Sequence, residues 1–342
     1  MRSSEQRCWM LLRRSSLRNP VLKNSMMNSP VSISVIAPVY GVEKFIARFA
    51  DSLLSQDYPY IQFIFVNDGT KDRSIEILKS LVNERYSHIQ EKIVIVDKEN
   101  EGCPKARRTG VDYATGDYIM HADPDDWYEQ GAFSEIAAAA QETDADFIYF
   151  DHYKEYPSEI KLKRERDYTI EQKDEYIRNM YNHRSYGCVW NKCVKRSVYA
   201  NRIFFPPVSC AEDVCLTSQL LGYSSSIVHI RKPLYHYMKD NPGAVTKRNP
   251  KFRRFRAISN MLGQYEFYKD MEPSEIPVAA LFDDVMMKAG WSTILYGFDF
   301  FQTRTYLVDN IYKASLKTDR AVPLVAQMLT KMYTYIYRSL KR

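Results

Sequence analysis

Cysteine is scarce in this chain, with six residues in 342. This content argues against a disulfide scaffold and fits a cytoplasmic, reducing compartment best. Four of the cysteines form two C-x4-C pairs, Cys188 with Cys193 and Cys210 with Cys215. The spacing differs from the usual two-residue loop of a zinc site, so we favour free thiols over a metal.

Long apolar runs and a broad excess of charge are also missing. The long uncharged run at residues 214–228 is interrupted by Ser, Thr, Gln and Gly, so no membrane-spanning helix is predicted. The net charge of +6 comes almost entirely from residues 1–26, which hold six basic residues and one acid. The remainder has 42 basic and 41 acidic residues. We therefore expect no nucleic-acid partner.

The chain divides into three parts by pattern. Residues 1–30 are basic and Ser-rich, lack a signal-peptide core, and are predicted to be a disordered tail. Met26 or Met27 is then the true start, although a genuine disordered arm fits the composition equally well. Residues 31–246 form an α/β domain, and residues 247–342 form a helical region. With 45% hydrophobic and 26% charged residues, the chain is typical of a globular protein with a sizeable core.

Short apolar runs alternate with amphipathic segments between residues 31 and 153. Strand, helix, strand repeated in this way predicts a mostly parallel sheet with helices on both faces. Residues 154–186 are charged and irregular, and we interpret them as a surface linker; residues 187–246 return to short strands and one helix. The predicted strands cover residues 32–38, 62–67, 93–97, 118–121 and 146–150, and the predicted helices cover residues 42–56, 73–86 and 105–114.

Polar motifs follow the predicted strands, at the sheet edge where ligands bind in such folds. The sequence Asp123-Pro124-Asp125-Asp126 places three carboxylates at one strand end. They repel one another unless a cation joins them, and hard oxygen ligands select magnesium or manganese, which then holds a diphosphate. The alternative is an Asp-Pro turn that caps the next helix.

Three further motifs suit a nucleotide. Asp68 ends a buried strand and can accept a hydrogen bond from the N3–H of a pyrimidine, although helix capping, for which Asp72 is better placed, is the alternative. In Pro38-Val39-Tyr40-Gly41 the tyrosine can stack on a base. Asn100-Glu101-Gly102 precedes Arg107 and Arg108, which can neutralise a nucleotide or simply lie on a solvated helix face.

In this order the four motifs closely resemble the nucleotide-sugar half of family-2 glycosyltransferases of bacterial polysaccharide type, inverting enzymes of the GT-A fold (Rossmann-like). The family pattern is P-x-Y-N, V-D-D-G-S, N-x-G-x-x-x-A-R-N-x-G and D-x-D-D. This chain has Gly41 for the first asparagine, Asn67 for the first aspartate and Arg108 for the asparagine after Arg107.

The resemblance implies a role for each matching residue. It implies that Asp68 meets a uracil, that Asp123 touches the ribose, and that Asp125 binds Mn²⁺ or Mg²⁺ on the diphosphate. The residues expected to bind the nucleotide are Pro38, Tyr40, Asp68, Asn100, Arg107 and Asp123.

Later segments extend the resemblance. Trp190-Asn191-Lys192 resembles the family's W-x-K segment. Glu212-Asp213 resembles the E-D pair whose aspartate is the general base, and the alternative is an acidic pair favoured by a helix N-terminus. Leu234-Tyr235-His236-Tyr237, followed by residues 243–246, resembles a late segment whose histidine reaches the metal or the diphosphate in some members. The alternative for His236 is a packed aromatic strand.

These motifs together predict metal-dependent, inverting transfer of a sugar from a UDP-linked donor to a hydroxyl of a glycan or lipid-linked acceptor. A nucleotidyltransferase would need a Gly-rich phosphate loop, which residues 38–43 lack. A nucleotide-sugar-binding protein without turnover is the remaining alternative. In that case the departures from the family pattern at Gly41, Asn67 and Arg108 would be substitutions that removed catalysis. The aromatic and basic end, residues 332–342, suits a membrane surface or the core, and we favour the core.

Overall fold

The computed structural model describes residues 29–207, 209, 211–241, 260, 263–264, 267–268 and 270–278. Within them the strands are β1 Ile33–Val39, β2 Ile61–Asp68, β3 Ile93–Lys98, β4 Tyr118–His121, β5 Trp127–Tyr128, β6 Phe147–Tyr156, β7 Glu159–Lys163, β8 Lys192–Lys195 and β9 Ile227–Met238. The α-helices are α1 Ile46–Leu54, α2 Ser74–Arg85, α3 Cys103–Tyr113, α4 Ala132–Thr143, α5 Lys173–Tyr181, α6 Arg196–Tyr199 and α7 Glu212–Tyr223.

The five predicted strands and three predicted helices between residues 31 and 153 are confirmed, with their ends moved by a few residues. Residues 1–28 of the predicted tail, the segment 243–246, most of the C-terminal region and Cys210 lie outside the described residues. In the part of the chain that the structure covers, no helix has the length and apolarity needed to cross a bilayer.

The sheet is built around β1, whose seven residues are all buried. The strand order is β3-β2-β1-β4-β8-β6-β9-β5, and the first four strands are parallel. The chain moves from β1 outward to β2 and β3, then returns to the other side of β1 to form β4. Loops diverge at such a switch point and leave a crevice at the carboxyl ends of the strands. The loops after β1 and β4 therefore border that crevice.

Two apolar layers cover the faces of this sheet. One layer joins α1, α2 and α4 to the sheet through residues such as Phe49, Leu78 and Phe133. The other joins α3, α5 and α7 through residues such as Ala106, Tyr176 and Leu220. A parallel strand buried between two helical layers has no solvent face, which explains why β1 is apolar at every position except Ser34.

The second half of the sheet is mixed. β8 is antiparallel to both β4 and β6, whereas β9 is parallel to β6 and antiparallel to β5. The antiparallel entry of β8 brings its first residues to the same edge as the last residues of β4. The long strand β9 brings Tyr235 and His236 opposite Tyr128 and Trp127, just after the acidic motif.

The prediction of a surface linker at residues 154–186 is wrong. β6 continues to Tyr156, pairs with β7 as a hairpin, and the chain then forms α5. The residues of β7 are largely exposed, so the strand shows no apolar periodicity that the sequence could reveal. In α5, Tyr176, Ile177 and Met180 are buried against the sheet, and only tertiary packing distinguishes them from a polar segment.

Candidate active site at the carboxyl edge of the sheet

The loops after β1 and β2 are tied together by hydrogen bonds. Gly41 N donates to Thr70 Oγ1 at 2.9 Å. Glu43 N donates to Asp72 Oδ2, and Arg73 N donates to Glu43 Oε2, both at 3.0 Å. Gly41 has a φ of +67°, and a Cβ there would meet no atom within 4 Å. Asparagine also tolerates this region, so glycine in place of the family's asparagine keeps the loop geometry.

Three predicted nucleotide-binding residues near the ends of β1 and β3 differ in exposure. Pro38 is buried within β1, whereas Tyr40, just beyond the strand, is 54% exposed. Asn100 is exposed between β3 and α3. An exposed ring at the carboxyl edge is available for stacking on a base, as predicted for Tyr40. The nucleotide contacts of all three residues stay predictions.

Asp68, predicted to meet the base, is only 2% exposed and organises the loop before α3. Its Oδ1 accepts hydrogen bonds from Lys98 Nζ at 2.8 Å and Glu101 N at 3.0 Å. Its Oδ2 accepts one from Gly102 N at 2.8 Å. The carboxylate is therefore turned toward its own loop, and the contact with a uracil stays a prediction.

Asn67 replaces the family's aspartate for a reason visible in the sheet. Its side-chain amide donates to Asp97 Oδ1 at 2.7 Å, across from it on β3, and its Oδ1 accepts from Thr70 N at 3.0 Å. An amide can donate and accept at once, whereas a carboxylate only accepts. Aspartate at this position would place two like charges opposite each other on adjacent strands.

We predict that Asn67→Asp lowers the free energy of unfolding by about 1 kcal/mol at neutral pH, because a like-charge pair replaces a hydrogen bond. Urea denaturation at pH 7 measures this loss. The control is the double variant Asn67→Asp with Asp97→Asn, which reverses the polarity of the pair and should recover most of the stability. An equal loss in the double variant would contradict the pairing.

Asp126 is the structural member of the acidic motif after β4. It is fully buried; its Oδ2 accepts from Tyr235 Oη at 2.8 Å and its Oδ1 from Met238 N at 2.7 Å. Burial, followed by the nearby charge of Asp125, raises the pKa of Asp126 well above its usual range. Asp126 therefore fastens β9 to the acidic turn and does not face a ligand.

Asp125 is partly exposed at the same turn. Its Oδ2 accepts from Asn241 Nδ2 at 2.7 Å, and its carbonyl oxygen lies 3.4 Å from Arg48 Nη2. Burial and then the charge of Asp123 raise the pKa of Asp125. A divalent cation would relieve this repulsion, and the hard carboxylate oxygen suits one. The residues present therefore fit the metal that the acidic motif implies.

His236 is held elsewhere. Its Nδ1 lies 2.5 Å from Glu155 Oε1 and its Nε2 lies 2.7 Å from Glu129 Oε1, while its ring stacks on Trp127. Both nitrogens are occupied, so a metal contact, which stays a prediction, would require one of these bonds to break. Among the described residues, no three His, Cys, Asp or Glu side chains are grouped to hold a metal. Ligands besides Asp125 would come from phosphate and water, as is usual for Mg²⁺.

Arg107 joins the acidic motif to the predicted base. Its Nη2 lies 2.7 Å from Asp123 Oδ1 and 3.5 Å from Asp213 Oδ1. The side chain is buried on the inner face of α3, and its Nε and Nη1 have no hydrogen-bond partner in the part of the chain that the structure describes. Asp123 was predicted to bind the donor and Asp213 to act as the base. Both carboxylates thus lie beside the same guanidinium.

The pair Glu212 and Asp213 opens α7, as predicted. Asp213 is 26% exposed at its side chain, and its buried Oδ1 accepts no hydrogen bond from the described residues. Burial raises the pKa of Asp213 to about 6, with Arg107 opposing the rise and Asp123 adding to it. Burial and then Asp213 raise the pKa of Glu212 further, to about 8. Asp213 is the more readily ionised of the two.

Sequence reasoning missed the aromatic support of this site. Trp190 stacks on Tyr235 with ring centroids 4.6 Å apart, and Tyr235 Oη also accepts from Asp123 N at 3.3 Å. On the other side, the Arg48 guanidinium lies 3.8 Å above the Trp127 ring. The alternating aromatic residues of β9 indicated that this strand packs against other rings. The sequence could not show which rings, because the partners are distant along the chain.

Three cysteines of the two C-x4-C pairs lie within the described residues. Cys188, Cys193 and Cys215 are free, and the Cys188 thiol donates to the amide oxygen of Asn191 at 3.1 Å. Cys210 lies outside the described residues. The three described members of the two C-x4-C pairs therefore form neither a disulfide nor a metal site with each other.

Several proteins similar to this chain are described as glycosyltransferases. "Putative glycosyltransferase EpsH" of Bacillus subtilis (strain 168) is 28% identical over 217 residues, which cover 62% of this chain and 61% of that protein. "Uncharacterized glycosyltransferase EpsJ" of the same organism is 30% identical over 222 residues, 63% of each chain. The chain thus spans about three fifths of the length of these relatives.

Solved structures share the fold at low identity. Staphylococcus aureus TarS 1–349 in complex with UDP-GlcNAc has a TM-score of 0.60 at 18% identity, covering 87% of this chain and 83% of that chain. Mannosyltransferase PcManGT from Pyrobaculum calidifontis, in complex with GDP-Man and Mn²⁺, has a TM-score of 0.51 at 15% identity, covering 91% and 86%. These matches confirm the predicted GT-A fold.

The family assignment rests on the strands and motifs that form the site. The profile of "Glycosyl transferase family 2" matches residues 34–202, from β1 to just beyond α6. That span contains Asp68, Arg107 and the acidic motif after β4. Residues 34–202 of the chain form a glycosyl transferase family 2 domain.

Proposed function

We propose that this protein transfers a sugar from a nucleotide sugar, UDP-linked, to a hydroxyl of a glycan or lipid-linked acceptor, with inversion at the anomeric carbon. The observation that carries this proposal is the shared guanidinium of Arg107, 2.7 Å from Asp123 and 3.5 Å from Asp213. A donor-side carboxylate and a base with a raised pKa thus lie within reach of one side chain.

The donor half is assigned to the loops after β1, β2 and β4. The exposed ring of Tyr40 is available for a base, and Asp123 at the crevice for a ribose. Two structures of the same fold are described with nucleotide sugars, TarS with UDP-GlcNAc and PcManGT with GDP-Man and Mn²⁺. These complexes support a nucleotide-sugar donor for this chain, and the resemblance at Asp68 favours UDP.

Asp125 is the residue proposed to hold a divalent cation, Mn²⁺ or Mg²⁺. When bound, such an ion neutralises negative charge on the leaving diphosphate. Asn241 donates to Asp125 Oδ2 and orients the carboxylate, while Asp126 fixes the turn that carries it. These two neighbours hold the Asp125 side chain and its turn in place.

Asp213 is proposed as the general base. Its carboxylate, 26% exposed and facing Arg107 with the buried Oδ1, accepts the proton of the acceptor hydroxyl as the hydroxyl oxygen bonds to the anomeric carbon and the bond to the diphosphate breaks. One displacement inverts the anomeric centre and needs no enzyme nucleophile. A pKa raised to about 6 keeps Asp213 ionised at neutral pH and brings its basicity closer to that pH.

A nucleotide-sugar-binding protein without turnover is less well supported. Of the three departures from the family pattern, Gly41 keeps the loop conformation and Asn67 matches Asp97. Arg108 lies on the outer face of α3, paired with Asp112 at 3.4 Å. None of them contacts Asp213, so the proposed base is unaffected.

We expect a UDP-sugar with Mn²⁺ to raise the unfolding temperature by several degrees. A ligand at a hundred times its Kd stabilises by about 2.7 kcal/mol, which is measurable by thermal shift. GDP- and dTDP-sugars, and the UDP-sugar with EDTA, are the controls. Slow release of UDP in the same mixture indicates turnover. Binding without any UDP release would favour the binding protein, and no shift with any nucleotide sugar would overturn the donor assignment.

A further inference from the structure

The charge of Arg107 is only partly available to the proposed base. Its Nη2 is closer to Asp123, at 2.7 Å, than to Asp213, at 3.5 Å. Asp213 Oδ1 is buried and accepts no hydrogen bond from the described residues. A buried carboxylate needs more compensation than a shared guanidinium gives it.

Lys192 is a second buried cation, at the first residue of β8. The residue is 2% exposed, and its Nζ donates to the Asn191 side-chain oxygen and, at 3.4 Å, to the Tyr186 carbonyl. Both acceptors are neutral. In the described part of the chain, no carboxylate lies within 4.0 Å of this ammonium. The buried carboxylate of Glu165 accepts a hydrogen bond from the Asn191 amide at 2.8 Å, and the charge of Lys192 lowers the pKa of Glu165, as it does that of Asp213. A buried ammonium is costly without compensating charge, and these two carboxylates supply that charge without direct contact.

The sheet register places Lys192 at the catalytic edge. β8 is antiparallel to β4, with Cys193 opposite Met120. Continuing this register sets Lys192 beside His121, the last residue of β4. Asp123 follows two residues later, so the ammonium and the acidic motif share one side of the site.

A second contact links the loop held by Lys192 to α7. Gly187 follows Tyr186, whose carbonyl accepts the Lys192 bond. A Cβ on Gly187 would lie 2.7 Å from Val214 Cγ2, so glycine permits an unusually close approach there. Val214 is the residue after Asp213, and the Lys192 loop therefore packs directly on the turn that carries the base.

The other titratable groups around Asp213 are not cations. Asp123 faces it across Arg107, and Glu212 precedes it on α7. Burial raises the pKa of each neighbouring thiol, which leaves the thiols uncharged near neutral pH: Cys103, Cys188 and Cys215. Among the described residues, positive charge reaches Asp213 from Arg107 and Lys192.

We propose that Lys192 is a positioning residue that, together with Arg107, keeps the Asp213 carboxylate ionised and ready to accept the acceptor's proton. Arg107 acts from the donor side and Lys192 from the sheet side. The inference rests on the proposed role of Asp213 as base. It assigns a function to a lysine that contacts neither the donor motifs nor the base directly.

The direction of the effect follows from the charges. Burial raises the pKa of Asp213, while Arg107 and Lys192 lower it. Removing the lysine charge therefore raises the pKa further. The base is then protonated over a wider range on the acid side, and turnover lost at neutral pH returns as the pH rises.

The test is Lys192→Met, which keeps the apolar stem and removes the charge. We expect the acid limb of the pH–kcat profile to move up by about one unit, so that turnover below the limb falls about tenfold and recovers in alkaline buffer. KM for the donor should stay near the wild-type value. Lys192→Gln, which keeps a hydrogen-bond donor, should shift the limb in the same way.

Lys195→Met is the matched control. Lys195 lies on the same strand, and its ion-pair partners Asp144 and Asp146 lie outside the site. Its replacement should therefore leave the acid limb of the pH–kcat profile in place. A limb unchanged in Lys192→Met, or a loss equal at every pH, would overturn the inference. If Asp213→Asn keeps full turnover, the proposed base itself fails. If Asp213→Asn is inactive but Lys192→Met keeps the wild-type profile, only the role of Lys192 fails.

Discussion

Replacing Asp213 with asparagine is expected to lower the turnover number by about 10²- to 10⁴-fold, the usual contribution of a positioned base. Asparagine keeps an oxygen toward Arg107 but cannot accept the acceptor's proton. Donor affinity should change little, because the nucleotide is assigned to the loops after β1, β2 and β4. Steady-state kinetics with a UDP-sugar, together with donor binding by calorimetry, separates the two quantities.

The pH dependence of wild-type turnover is a second test of the role of Asp213. Because burial raises the pKa of Asp213 to about 6, turnover should rise with pH through that region and level off above it. Glu212→Gln is the control, since Glu212 precedes the base on α7 and should cost much less. Near-normal turnover in Asp213→Asn, or a collapse of donor binding, would make the residue structural.

Asp125→Ala is expected to abolish transfer and the metal-dependent part of UDP binding while the fold survives. Burial and the charge of Asp123 raise the pKa of Asp125, so this carboxylate opposes folding unless a cation is bound. Its removal should therefore leave the unfolding temperature without metal unchanged or higher. Calorimetric titration of UDP with and without Mn²⁺, in parallel with activity in excess EDTA, measures the metal contribution.

Asp126→Ala is the informative contrast one residue away. Asp126 accepts hydrogen bonds from Tyr235 and from the Met238 backbone while fully buried, so its loss should destabilise the protein by about 1–3 kcal/mol. The two substitutions should thus have different effects: loss of Asp125 should lower activity, and loss of Asp126 should lower stability. Full activity of Asp125→Ala, or wild-type turnover in excess EDTA, would remove the metal at this residue from the mechanism.

The first half of the fold was readable because its signals are local. β1 is apolar except for Ser34 because both its faces are covered, and a buried parallel strand is recognisable without knowing its neighbours. The acidic motif follows β4 directly, and parallel strands end at one edge, so Asp123 and Asp125 could be placed together from order alone. Glu212, at the first turn of α7, was marked by its resemblance to the E-D pair of the family.

The remainder depends on contacts that sequence order does not show. His236 was expected near a metal, but the two glutamates that hold it, Glu129 and Glu155, are 107 and 81 positions away. Lys192 was recognised only as part of the W-x-K segment, and its burial appears only when β8 inserts between β4 and β6. Asp68 was assigned from its motif, whereas its bonds to the loop before α3 come from a strand pairing.

A single guanidinium serving two carboxylates has a thermodynamic consequence. Any donor that draws Arg107 closer to Asp123, or further from it, must change the proton affinity of Asp213. By reciprocity, protonation of Asp213 must change the affinity for that donor by the same factor. Donor binding and proton uptake are therefore one linked equilibrium, and the free and donor-loaded enzymes are acids of different strength.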